Sequence, residues 1–182
     1  MRDFIVICSA AGDRIRPQDP GFGRFDVIAR CVNAALWTSH GLRDARISFW
    51  LAKAGKWLIF SPEMRKVNPD ERSILLWIGK VLAGGNNPGI TLAADAFEQR
   101  LQSMAPRKAY LLDEKGTAVA KVEIAEDAVF ILGDHTGLEK EHREIIETAL
   151  KPEAVSLGRQ PYLSSHCIAY LNIELDHGQA AR

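Results

Sequence analysis

The stretch Ala128-Val129-Phe130-Ile131-Leu132, followed at once by Gly133-Asp134-His135-Thr136-Gly137, decides the fold. Five apolar residues in a row, without polar alternation, read as a strand covered on both faces, the kind found inside parallel sheets. The loop that follows lies beyond the carboxyl end of that strand, where open α/β sheets bind their ligands. Gly133 is expected to leave room there for a bound molecule, and Gly137 to let the loop turn.

Outward from this point, strand-like and helix-like segments alternate along all 182 residues, which predicts a single α/β domain over 1–182 with a mostly parallel sheet flanked by helices. Strands are expected over residues 4–8, 46–51, 57–60, 108–112 and 155–157, with 53–56 as a turn and 119–124 as a short strand or extended connection. Helices are expected over residues 24–40, 68–82, 93–104, 139–150 and 164–175. Asn68 and Pro69 suit the cap and first position of the second helix, and residues 113–116 read as a loop rich in turn formers.

A hydrophobic fraction of 47% with 25% charged residues excludes a disordered or rod-like chain. No apolar run approaches the roughly 20 residues of a membrane helix, and the first residues lack the pattern of a signal peptide, so the cytoplasm is the expected location. Three cysteines at long, unequal spacings (Cys8, Cys31 and Cys167) give neither a disulfide framework nor a zinc pattern, and no metal is expected. The net charge is zero but uneven: residues 1–56 hold nine Lys+Arg against five Asp+Glu, leaving 14 against 18 behind them. A basic front is compatible with a face that meets phosphate.

Three segments following strands are candidate ligand walls: residues 112–116, 133–137 and 157–162. Their glycines match neither a dinucleotide fingerprint nor a Walker loop, which argues against nucleoside triphosphate hydrolysis. Asp134-His135 reads as a hydrogen-bonded loop, because sequence neighbours point apart and no second histidine stands at ligand spacing. His166-Cys167, adjacent on a helix, do not face each other as a nucleophile and base would. At the front, Gly23-Arg24-Phe25-Asp26 opens a helix with Arg30 one turn on, and the preceding basic, glycine-containing loop would let a polyanion approach that helix start.

Together, the 129–137 segment, Val155-Ser156-Leu157 with Ser165-His166-Cys167-Ile168, the front Gly23-Arg24-Phe25-Asp26 with Arg30-Cys31-Val32, and Lys66-Val67-Asn68-Pro69-Asp70-Glu71-Arg72 resemble the TrmY-like pseudouridine N1-methyltransferases of the SPOUT superfamily. Order and approximate spacing agree from residue 1 to about 175. The resemblance implies a deep C-terminal trefoil knot, with knot and cofactor site over about 108–175. It implies S-adenosyl-L-methionine held by Leu112, Gly133, Leu157, Gly158, Arg159, Gln160, Pro161, Tyr162 and Cys167. It implies a tRNA substrate and a homodimer, for which the C-terminal helix offers Ile168, Leu171 and Leu175 as a contact face.

For the chemistry, Asp26 is the candidate acceptor of the N1 proton. Arg24 and Arg30 are candidates for holding RNA phosphate or an anionic base, and Asp70 and Arg72 are further substrate candidates that helix capping already explains. Other readings stay open: methylation of a different RNA nucleoside, binding of RNA or cofactor without catalysis, and, on Asp134-His135, a hydrolase.

Overall fold

The computed structural model describes residues 1–16 and 18–180. The elements run β1 (Arg2–Cys8), α1 (Phe25–Leu36), β2 (Trp37–Thr38), β3 (Gly41–Leu42), β4 (Ala45–Leu51), β5 (Lys56–Phe60), α2 (Glu71–Leu82), β6 (Ile90–Ala93), α3 (Phe97–Met104), β7 (Ala109–Ala118), β8 (Val129–Gly133), α4 (Lys140–Leu150), β9 (Glu153–Ser156) and α5 (Ser164–Ala180). Seven strands form one sheet in the order β6-β5-β4-β1-β8-β7-β9. The pairs β1–β4, β1–β8, β7–β8 and β7–β9 are parallel, and the two pairs involving β5 are antiparallel.

The continuous apolar runs of β1 and β8 place them at the centre of the sheet, buried on both faces. Phe4, Phe130 and Tyr110 lie in register on β1, β8 and β7, with ring centroids 5.5 Å apart at each step. Such cross-strand aromatic contacts are worth about 0.2–1 kcal/mol each and fix the register. The Tyr110 hydroxyl donates to the Glu123 carbonyl at 3.1 Å, pinning the connection between β7 and β8. Helices α1, α2 and α5 cover one face through residues such as Phe25, Ile28, Ile74, Ile168 and Leu171, and α3 and α4 cover the other through Phe97, Leu101 and Ile146. At the amino ends of the strands, buried Asp3 accepts from Arg46 Nη2 at 3.0 Å and also pairs with Arg107.

Several expectations are corrected. The first helix stops at Leu36, because Trp37 turns extended (φ −87°, ψ 141°) and enters the β2–β3 hairpin, as suits an aromatic and a β-branched residue in sequence. The second helix is capped by Asp70, which accepts the Ser73 amide at 2.8 Å, and not by Asn68. Ala93, expected to open a helix, instead ends edge strand β6, which β-branched Ile90 and Thr91 lead, and α3 begins only at Phe97. Residues 113–116 do not end their strand: β7 continues through them, and pairing with β9 lapses after Leu112 and resumes at Thr117. Residues 119–121 form a 3-10 turn. The face of α5 expected to meet a partner is turned inward, with Ile168 and Leu171 fully buried in the core that includes α1.

Candidate functional site

Beyond the carboxyl ends of β8 and β9, and beside the middle of β7 where its pairing with β9 lapses, the chain leaves an open cavity of about 560 Å³. All three segments singled out in the sequence reach it. Leu112 lines it from β7, Gly133 to Leu138 from the loop after β8, and Leu157, Gly158, Gln160, Pro161 and Tyr162 from the loop after β9. Cys167 contributes from the first turn of α5, and Val27 and Arg30 from α1. Leu112, Leu132 and Leu157 supply apolar walls, while the loops offer main-chain polar groups. This combination suits a flat heterocycle with a polar edge.

Gly158 has φ +143°, a conformation that L side chains rarely adopt. Gly133 is required for a different reason than expected. A β-carbon there would lie 2.3 Å from the Gly137 carbonyl carbon, so the missing side chain makes room for the chain's own loop and not for a ligand. The loop is further held by Ser164, whose hydroxyl donates to the Gly133 carbonyl at 2.9 Å.

The front residues gather at the cavity's α1 side. Gly23 and Arg24 both adopt left-handed backbone (φ 65° and 57°), turning the chain sharply into α1. For arginine that conformation costs about 1–2 kcal/mol. Its guanidinium donates to Asp26 from Nε at 3.0 Å, and Arg30 pairs with the same carboxylate one turn later. Burial pushes the Asp26 carboxyl up, but the hydrogen bond from Arg24 and the charges of both arginines outweigh it and hold the group below its ordinary value. The pairing raises the Arg24 guanidinium in turn. Arg30 alone of this trio lines the cavity, so Asp26 and Arg24 stand behind it.

Arg159 is exposed and is not among the lining residues. Asp70 and Arg72 are not brought to the cavity. They lie at the start of α2, where Asp70 serves as the cap and Arg72 is exposed. Asp134 and His135 do not point apart: His135 Nδ1 lies 3.5 Å from Asp134 Oδ1. Both oxygens of Asp134 are nevertheless occupied by loop donors, as a hydrogen-bonded loop requires. Among the described residues no three His, Cys, Asp or Glu side chains are grouped to hold a metal ion. Burial raises the Cys167 thiol and pushes Cys31 up to about 12, which leaves both protonated at neutral pH.

Sequence reasoning placed Asp113 in a candidate wall, 112–116, but missed Arg143, which also lines the cavity and pairs with it at 2.9 Å across β7 and α4. Asp113 is held low first by the Lys115 amide and then, against burial, by Arg143. Thirty residues separate the two in sequence, and no local pattern links them.

Residues 1–180 match the family described as "Putative SAM-dependent RNA methyltransferase". The chain is 35% identical to the tRNA (pseudouridine(54)-N(1))-methyltransferase of Thermococcus gammatolerans, over 97% of each chain. It is also 35% identical to the protein of the same name from Methanosarcina mazei, over 100% of this chain and 94% of that one. Among solved structures, Archaeoglobus fulgidus Nep1 bound to S-adenosylhomocysteine shares the fold with a TM-score of 0.72 at 17% identity, over 98% of this chain and 99% of that one. The chain belongs to the family of S-adenosylmethionine-dependent RNA methyltransferases that includes these tRNA pseudouridine N1-methyltransferases.

Proposed function

We propose that the protein transfers a methyl group from S-adenosylmethionine to N1 of a pseudouridine in tRNA. The observation that carries this reading is the convergence of the loops after β8 and β9, the middle of β7 and Arg30 on one cavity, in a chain that matches named pseudouridine N1-methyltransferases along nearly its whole length. The cavity volume falls within the roughly 300–1,000 Å³ typical of ligand pockets, and its donor set of leucine walls and loop backbone suits an adenosine. Leu112, Leu132 and Leu157 would flank the adenine, with the backbone of residues 157–162 at its edge. When bound, S-adenosylmethionine supplies an electrophilic methyl group on a sulfonium.

The remaining work belongs to this chain's residues. Pseudouridine is joined to ribose through carbon, so its N1 keeps a hydrogen. As that proton passes to the ionised Asp26, which comes within reach when Arg30 in front of it turns to the substrate, the N1 electron pair forms the new bond to carbon and the carbon–sulfur pair stays on sulfur. Arg24 and Arg30 hold Asp26 in place and stabilise negative charge on the base or its phosphate. Alignment of this in-line displacement is the larger contribution, worth about 7–11 kcal/mol when reactants are well oriented.

The reading includes a deep trefoil knot. It is supported by the course of the chain after β9, which returns to lay α5 on the same face as the connection between β7 and β8. It also includes a homodimer, supported by the outward side of α5, where Tyr170 and Ile173 are exposed beside Leu163 and Tyr162. Among the described residues no helix is long and apolar enough to cross a membrane, and a tRNA substrate implies the cytoplasm. The test is incubation with labelled S-adenosylmethionine and two T-arm RNAs that differ only in pseudouridine or uridine at one position. Nucleoside mass spectrometry should find N1-methylpseudouridine in the first alone. Label on a ribose hydroxyl or on both RNAs overturns the assignment.

A further inference from the structure

The centre of the sheet contains a switch point. From β1 the chain passes to α1 on one face, and from its neighbour β8 it passes to α4 on the other. Loops diverge at such a point and leave a crevice between them. The β1 loop leads to Arg24, Asp26 and Arg30, and the β8 loop is a wall of the cavity. One buried side chain bridges the two. Asp134 Oδ2 accepts the Ser9 amide at 2.8 Å, while Oδ1 accepts the Thr136 amide at 2.9 Å and the Thr136 hydroxyl at 2.7 Å. The residue is also tied through its backbone, its amide donating to the Ile7 carbonyl and its carbonyl accepting the Gly137 amide.

We propose that Asp134 is a positioning residue that sets the acceptor-side loop against the donor-side loop, so that N1 and the methyl carbon are aligned. The proposal rests on the functional reading above. Asp134 is only 8% exposed and its oxygens are filled by donors from the two loops, which makes it the tie between them. Its negative charge also reaches Arg24 and adds to that group's raised pKa. A carboxylate is needed. An amide has one accepting oxygen, and turning it to the two Thr136 donors sets its own N–H groups against the Ser9 N–H.

The test compares wild type with Asp134→Asn by two readouts: calorimetric affinity for S-adenosylhomocysteine, and the single-turnover rate on pseudouridine RNA with both substrates saturating. The rate should fall about 10²-fold, the order of loss expected from an ångström-scale misplacement, while the affinity stays near the wild-type value. Ser9→Pro removes the same donor from the other side and should give the same split, which decides the matter if the asparagine variant does not fold. An unchanged rate, or a rate and an affinity that fall by one common factor, overturns the proposal. Wild-type protein that makes no N1-methylpseudouridine refutes the functional reading instead. The bridge is then judged on amide exchange in residues 9–16, which should accelerate in Asp134→Asn and whose constancy would count against it.

Discussion

Asp26 is subject to opposed influences, and their balance sets what it can do. Burial favours its neutral form, and two arginines favour the ionised one more strongly. The result is a carboxylate available to accept a hydrogen bond at neutral pH, at some loss of intrinsic basicity. Asp26→Asn should lower the methyl-transfer rate about 10²–10⁴-fold, and turnover close to wild type would remove the base assignment. Because the folded group titrates below its free value, the acidic limb of kcat/KM attributable to Asp26 should lie below the ordinary carboxylate range, and a limb near pH 6 would contradict this electrostatic picture. Gly133→Ala is a second test at this scale. The added methyl group meets the Gly137 backbone at 2.3 Å, so the loop must move and affinity for S-adenosylhomocysteine should drop sharply. The need for glycine at 133 was legible in the sequence, but its cause was not, because a loop folding back on its own strand leaves no composition signal.

At the scale of elements, the docking of α5 rests on a polar cluster. Asn172 is 1% exposed and donates to the Ala34 and Ala35 carbonyls of α1, at 3.0 and 3.3 Å, while Arg2 donates to its side-chain oxygen at 3.0 Å. Asn172→Ala strands these partners and should cost about 1–3 kcal/mol, seen as a melting temperature lower by several degrees in a chain of this length. Nearby, Asp176 pairs with Arg2 and Arg43, and their hydrogen bonds and charges, outweighing burial, keep its carboxyl below the ordinary value. A depressed folded pKa stabilises fully above the unfolded carboxyl's range, near pH 3.9, and that contribution fades as pH falls through the folded value. Asp176→Asn should therefore flatten acid unfolding below about pH 4.

Elements with an unambiguous hydrophobic pattern were legible in the sequence: β8, covered on both faces, from its unbroken apolar run, and α1, with one buried face, from its spacing. Others were not. β6 is four residues long beside a glycine-rich break, and its place is fixed by pairing with β5. α5 carries apolar residues on both sides, so periodicity could not say that Ile168 and Leu171 face the core while Ile173 faces out.

For the whole molecule, the sheet order brings together segments from both ends of the chain, which is why a site spread from residue 27 to residue 167 could be read only through family resemblance and the strand-end rule. Assembly is tested separately. Ile173→Glu puts a charge on the exposed side of α5, and sedimentation should show a monomer where the wild type is a dimer; a wild type that is itself monomeric would remove the dimer from the proposal. The claim on which everything else depends is that the middle of β7 and the loops after β8 and β9 close around one methyl donor. Titrating the purified protein with S-adenosylhomocysteine in a calorimeter measures this most directly. Saturable binding of one molecule per chain, lost in Gly133→Ala, is the expected result, and heats that never saturate, or an affinity indifferent to that substitution, would contradict it.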